Sequence, residues 1–235
     1  MAYRAVLFDA GETLLAPHPS FPDLFAAVMG GRGHSVTPAQ VEVAVEKVAP
    51  SFVEILERTG SKTWSTSREV SRRFWGTIYA AIFEHLGISD STDSHFEALY
   101  ERFTRHDSYR LFPDTLPTLQ AMKEAGLLLG IVSNWEEWLE GLLVTLEVAA
   151  LFDAIVISGR EGVEKPDPGI FRLGLERLGT VAESAVYVGD HPRLDMAAAT
   201  EVGMAGILID RRGRYADFPG VRIRSLAELP ALLGV

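Results

Sequence analysis

Four stretches of this chain carry side chains that could do chemistry, and each follows a run of aliphatic residues. Asp9 ends Ala5-Val6-Leu7-Phe8 and opens the turn Asp9-Ala10-Gly11-Glu12-Thr13. Ser133 and Asn134 follow Gly130-Ile131-Val132, and Lys165 lies in Glu164-Lys165-Pro166-Asp167. Asp190 and Asp195 share the loop Asp190-His191-Pro192-Arg193-Leu194-Asp195, after Val186-Tyr187-Val188-Gly189. Taken singly, each is ordinary: aspartate forms turns, serine and asparagine cap helices, and a lysine is usually a solvated charge. Their succession at strand ends is not ordinary, because open α/β sheets gather such loops along one edge.

Together the residues suit attack on phosphorus. A carboxylate such as Asp9 can attack a phosphoryl group only if the negative charge of the substrate is neutralised. A hard divalent cation held by the oxygens of Asp9 and Asp190 would do this, and magnesium prefers such ligands. Lys165 adds a fixed positive charge. The Ser133 hydroxyl, with Asn134 and the backbone N–H groups beside it, would bind phosphoryl oxygens. Asp195 could orient Lys165 or a metal-bound water. The chain has no cysteine, which excludes disulfides, thiolate nucleophiles and cysteine–zinc sites.

Elements that could hold these residues are visible in the hydrophobic pattern. Arg4–Phe8, Leu127–Val132, Ala154–Ile157, Ala185–Val188 and Ala205–Ile209 lack polar alternation and read as parallel strands buried on both faces. Helical patterns at Asp114–Ala125, Glu136–Ala150, Pro168–Leu178 and Leu194–Val202 alternate with them, and Ser225–Leu233 closes the chain. That alternation implies an α/β fold, a doubly wound parallel sheet of Rossmann-like form. The rhythm breaks once. Between residues 16 and 107 there are helix-period segments, Phe21–Gly30, Pro38–Thr59, Ser67–Leu86 and Asp93–Thr104, and no strand candidate. An inserted all-helical cap domain at 16–107 is expected, on a core of 1–15 and 108–235. Its crossings near Leu15–Pro19 and Asp107–Pro113 are the expected hinges, with the cap closing over the sheet edge.

Composition narrows the partners. A net charge of −10 repels a nucleic-acid backbone at long range. No run reaches membrane-spanning length, so a soluble, cytoplasmic protein without a membrane partner is expected.

In its motifs and their spacing the chain resembles the haloacid dehalogenase (HAD) superfamily, in the group with a helical cap inserted after the first strand. The resemblance implies that Asp9 forms a phospho-aspartyl intermediate and that Ser133 and Lys165 bind the phosphoryl group. It also implies a magnesium ion held by Asp9, the main-chain carbonyl of Gly11 and Asp190, with Asp195 in support. In similar phosphatases the residue two beyond the nucleophile is an aspartate that protonates the leaving group and then activates water. Here it is Gly11. Positioned acid–base help is worth on the order of 10²–10⁴ in rate. Glu12 stands next in the chain, and reads as a solvated or capping carboxylate rather than a surrogate acid.

The expected function is therefore a magnesium-dependent phosphatase of a small phosphorylated metabolite, with weak activity. The alternatives are a 2-haloacid dehalogenase-type hydrolase and an impaired phosphate- or metal-binding protein. In the cap, Arg68, Arg72 and Arg73 read as a solvated basic face. Of Trp64, Trp75, Trp135 and Trp138, Trp135 is best placed to meet substrate. Arg211-Arg212-Gly213-Arg214 reads as a solvated loop. If the missing acid limits turnover, Gly11→Asp should raise kcat on esters with poor leaving groups, as a steady-state comparison of alkyl and aryl phosphates would read out.

Overall fold

A computed structural model of the chain describes residues 3–49, 63–89 and 93–235. The chain divides into two compact units, Met1–Ala16 with Leu111–Val235, and Pro17–Arg110. The first is built on a six-stranded parallel sheet in the order β5-β4-β1-β6-β7-β8. Its strands are β1 (Ala5–Phe8), β4 (Leu128–Ser133), β5 (Ala154–Ile157), β6 (Ala185–Gly189), β7 (Ala205–Ile209) and β8 (Val221–Ile223). Two further short strands, β2 (Leu15–Pro17) and β3 (Tyr109–Leu111), pair as a separate ribbon.

β1 is central, pairing Leu7 with Gly130 on one side and with Tyr187 on the other. After β1 the chain builds outward through β4 and β5, then returns across β1 to β6. That reversal opens a crevice at the carboxyl ends of β1, β4 and β6, where ligands of such sheets bind. All four residues of β1 are buried, as a strand with neighbours on both edges requires. The core beneath the site gathers Leu7, Val132, Val156, Phe171, Tyr187, Met196 and Leu208.

The five strands read from the sequence are present, to within a residue at their ends. The sequence reading missed β2, β3 and β8, each three residues long and too short to show a period. The helix expected from Glu136 instead runs Leu139–Thr145, and Glu147 just beyond it has a left-handed φ of 60°, which no α-helix continues. The expected helix at Leu194–Val202 opens with a π-helical turn, Pro192–Ala197, before Ala198–Glu201.

The second unit contains the helices Phe21–Gly31, Pro38–Val48, Arg68–Leu86 and Ser94–Phe103. The rest of the expected Pro38–Thr59 segment lies outside the described residues. Ser20, Thr37 and Ser67 cap three of these helices by accepting backbone N–H groups. Phe25, Met29, Phe74, Tyr79, Ile82 and Leu99 form their common core. Arg72 pairs with Glu97 and lies 4.6 Å from the Tyr100 ring centre, so it is held within this unit. Trp64 and Trp75 pack against the same core.

A polar cluster ties the first turn to the end of the chain. Asp114 accepts hydrogen bonds from both terminal nitrogens of Arg211 (2.9 and 3.0 Å), from Ser225 Oγ (2.6 Å) and from Leu226 N (2.9 Å). Arg211 also donates to the Thr13 carbonyl at 2.8 Å and lies 3.8 Å from the Phe112 ring centre. The expected solvated character of the Arg211 turn is thus corrected: its first arginine is a structural clamp on the loop after Asp9. Burial works to raise the Asp114 carboxyl, but the bonds from Arg211 and Ser225 outweigh it and hold the pKa below the ordinary value. A depressed folded pKa gives stability that is present above the unfolded value of about 3.9 and lost as pH falls through the folded one. Asp114→Asn should lower the urea midpoint at neutral pH, and the gap to the parent protein should narrow toward about pH 3.

Candidate active site

The sequence-expected residues Asp9, Ser133, Lys165, Asp190 and Asp195 come together at the carboxyl ends of β1, β4 and β6. Ser133 Oγ donates to Asp9 Oδ1 at 2.9 Å. Lys165 Nζ donates to the same oxygen at 2.7 Å, to Asp195 Oδ1 at 2.6 Å and to the Tyr187 hydroxyl at 3.1 Å. Those three bonds use all three protons of the ammonium. Asn134 braces the lysine from its backbone: its Oδ1 accepts from Lys165 N at 2.7 Å, and its Nδ2 donates to Lys165 O at 2.8 Å. Ser133 and Asn134 therefore do not cap the next helix. They hold the nucleophile candidate and the lysine.

Lys165 is 3% exposed and Asp195 1%. Taken singly the lysine reads as a solvated charge, and the structure overturns that, because its stem runs inward to two carboxylates. Burial alone would lower its pKa, but Asp195 and Asp9 outweigh it and raise the pKa above the ordinary lysine value.

Asp195 is aimed by its turn. Both Asp195 N and Met196 N donate to the His191 carbonyl, at 3.0 and 3.3 Å, which widens the helix at this point. His191 N donates to Asp195 Oδ2 at 2.9 Å, while His191 Nδ1 accepts from Arg193 N and Leu194 N, both at 3.2 Å. His191 is therefore a cap of this turn. Gly189 makes room for the carboxylate: a Cβ there would lie 2.5 Å from Asp195 Cγ.

Sequence reasoning did not single out Gly189 or Tyr187. The signal for Tyr187 was a hydroxyl in the middle of the aliphatic run Val186-Tyr187-Val188, where burial demands a partner. The hydroxyl donates to the Val132 carbonyl at 2.7 Å and so accepts from Lys165. Burial, with Asp195 and Asp9 adding to it, pushes the Tyr187 phenol well above its ordinary pKa.

Oxygens of Asp9, Asp190 and Asp195 lie within 4.8 Å of one another. Burial first, then the charges of Asp195 and Asp9, lift Asp190 well above the ordinary carboxylate range; burial likewise raises Asp9 against the opposing pull of Lys165. Three carboxylates share one ammonium, so the cluster fits a hard cation, which would cancel the remaining charge and bind oxygen donors. Glu12 has a left-handed φ of 54° and pairs with Arg212 at 3.0 Å. Its carboxylate is engaged as the acceptor of an ion pair.

Known proteins share this arrangement of sequence. The family model of haloacid dehalogenase-like hydrolases matches residues 3–203. A haloacid dehalogenase-like hydrolase domain-containing protein 3 from Danio rerio is 33% identical over 236 residues, spanning 98% of this chain and 96% of that protein. A glyceraldehyde 3-phosphate phosphatase from Methanopyrus kandleri is 41% identical over 112 residues, covering 45% of this chain and 46% of its own. The crystal structure of a HAD phosphatase from Thermococcus onnurineus superposes with a TM-score of 0.63 at 28% identity, over 98% of both chains.

Breaking a buried pair strands its partner charge, at a cost of roughly 3–5 kcal/mol. Lys165→Ala should therefore lower unfolding free energy at neutral pH by roughly that amount, measured by urea denaturation. Lys165→Ala/Asp195→Asn should recover part of the loss by removing one of the stranded carboxylates.

Proposed function

The chain belongs to the haloacid dehalogenase-like hydrolases, and we propose that it is a magnesium-dependent phosphatase of a small phosphorylated metabolite, working through an aspartyl-phosphate on Asp9. The observation that carries this reading is the cluster in which oxygens of Asp9, Asp190 and Asp195 lie within 4.8 Å of one another, with the Lys165 ammonium bonded to Asp9 and Asp195. A halide-displacing site has no evident use for Asp190 beside the nucleophile, whereas a site for phosphate dianions needs the cation that a surplus of carboxylates attracts. The phosphatase names of partial relatives support the same substrate class.

In this reading Asp9 and Asp190 would hold the ion by their side chains, and Gly11 would add its carbonyl, which needs no side chain. When bound, the ion supplies charge neutralisation for the phosphoryl group. The Asp9 carboxylate attacks phosphorus, and the bond to the leaving oxygen breaks. As Asp9 becomes an acyl phosphate its own negative charge is lost, and Lys165 transfers one of its donors to the phosphoryl oxygens. Ser133, released from Asp9 Oδ1, does the same. Asp195 and Tyr187 keep the ammonium in place throughout, and Asn134 keeps its loop in register. The helical unit Pro17–Arg110 is the part of the chain to which this reading assigns the choice of substrate.

Hydrolysis of 4-nitrophenyl phosphate with and without magnesium tests the reading. Asp9→Asn should abolish turnover. Asp190→Asn should raise the magnesium concentration for half-maximal rate by at least a factor on the order of 10–100, the range for losing a group that only supports a metal ligand. Magnesium-independent release of halide from a 2-haloacid, with no phosphate release, would replace this proposal by the dehalogenase reading.

A further inference from the structure

We infer that Gly11 and Trp135 form a matched pair that keeps an acid away from the leaving group, so that the enzyme acts on phosphoryl donors whose leaving group departs as a stable anion. The inference rests on the phosphatase reading and names its substrate class. A Cβ built on Gly11 would lie 3.1 Å from Trp135 Cζ3 and 4.0 Å from Cε3. The first distance is closer than side chains ordinarily approach. Backbone conformation does not explain the glycine, because Gly11 is absent from the positive-φ positions, whereas its neighbour Glu12 is among them. Space explains it: the indole edge lies where an acid side chain would begin.

The backbone that carries the ring is held in place. Trp135 N donates to Ser158 Oγ at 3.0 Å, and that hydroxyl donates back to the Trp135 carbonyl at 3.1 Å. Gly159 N donates to the same carbonyl at 2.9 Å. The turn after β5 approaches so closely that a Cβ on Gly159 would stand 2.8 Å from that oxygen. The indole packs edge-on against Trp138, with ring centres 5.3 Å apart. Trp135 is thus clamped at its backbone, and its half-buried ring leans on Trp138. Glu12, the next carboxyl along the chain, makes a solvent-exposed ion pair with Arg212.

The chemistry follows from the absent proton. An Asp9 oxygen forms a bond to phosphorus while the bond from phosphorus to the leaving oxygen breaks. The electron pair leaves on that oxygen, and residue 11 delivers no proton. An alkoxide leaves poorly on those terms; a phenolate or a carboxylate leaves well. Water then attacks the phosphorus of the aspartyl-phosphate, the bond to Asp9 breaks with its electron pair returning to the carboxylate, and both protons of the water depart with inorganic phosphate. Trp135 is the specificity-determining residue in this scheme. It also changes the expectation for Gly11→Asp, since the new carboxylate must displace the ring before it can act.

A double-mutant cycle on the full chain with magnesium tests this, using 4-nitrophenyl phosphate and glycerol phosphate as probes and Gly11→Asp, Trp135→Ala and both together as variants. The native protein should prefer the aryl ester in kcat by more than about 10². Gly11→Asp alone should give no gain on glycerol phosphate. The double variant should gain on the order of 10²–10⁴ on that substrate, collapsing the selectivity. Trp135→Leu with Gly11→Asp provides a second background if the alanine variant is poorly folded by circular dichroism. Equal kcat on both esters in the native protein would overturn the inference while leaving the phosphatase reading intact. So would a Gly11→Asp single variant that gains as much as the double. Hydrolysis of neither ester by any folded variant would remove the phosphatase reading, and this inference with it.

Discussion

The structure of the site depends on one buried ammonium. Lys165 joins Asp9, at the end of β1, to Asp195, in the turn after β6, and it touches a hydroxyl from within β6 itself. Three segments far apart in sequence are thereby fixed at one point. Such a cluster is costly to bury, and its attraction compensates only when the geometry is close and every donor is used. Here each ammonium proton has an acceptor, Asn134 fixes the lysine backbone at both its polar atoms, and the widened turn at Pro192–Ala197 delivers Asp195 at the required angle. The constraint explains why small features recur around it. Gly189 is bare because the Asp195 carboxylate rests on it, and Tyr187 is a tyrosine because the lysine's third proton would otherwise be orphaned in an apolar strand.

The fold was legible because its signals are long and repeated. Five aliphatic runs separated by helical periods leave little choice but a parallel sheet with crossovers, and the residues that close those runs converge by topology alone. What escaped the sequence was short or three-dimensional. β8 has three residues, and nothing in Val221-Arg222-Ile223 exceeds the noise of a loop. The burial of Lys165 was hidden because Glu-Lys-Pro-Asp is also a good description of an exposed turn. Arg211 looked solvated for the same reason: its partners, Asp114 and the carbonyl of Thr13, are far away in the chain. Local composition reports propensity, and a buried ion pair between distant segments leaves no local trace.

Gly11 shows the difference between absence and replacement. In the sequence it is a missing carboxylate, and the natural inference is a weakened catalyst. In the structure the vacated volume is bordered by the Trp135 edge, and the backbone of that tryptophan is pinned by Ser158 and Gly159. An ordinary deletion would leave a gap or a water site. An aromatic neighbour this close to a would-be Cβ, carried on a pinned backbone, indicates that the surrounding loops are shaped to a glycine there.

The charge arithmetic of the cluster connects the fold to the chemistry. Lys165 binds Asp9 and Asp195 directly but acts on Asp190 only through space, while both other carboxylates push the Asp190 pKa upward. The polypeptide has compensated two of its buried acids and left the third without a bonded cation of its own. In a low-dielectric environment such a group either takes up a proton or recruits a cation. Recruiting a divalent cation satisfies Asp190 and turns the surplus of negative charge, which would repel a phosphate dianion, into a site that attracts one. The ion would also lower the proton affinity of Asp9, opposing the burial that raises it. Lys165 alone could not achieve this, because its single charge is already set against two carboxylates, Asp9 and Asp195. On the proposed reading the lysine assembles the site and then serves the phosphoryl group, and a bound cation would neutralise the charge that remains.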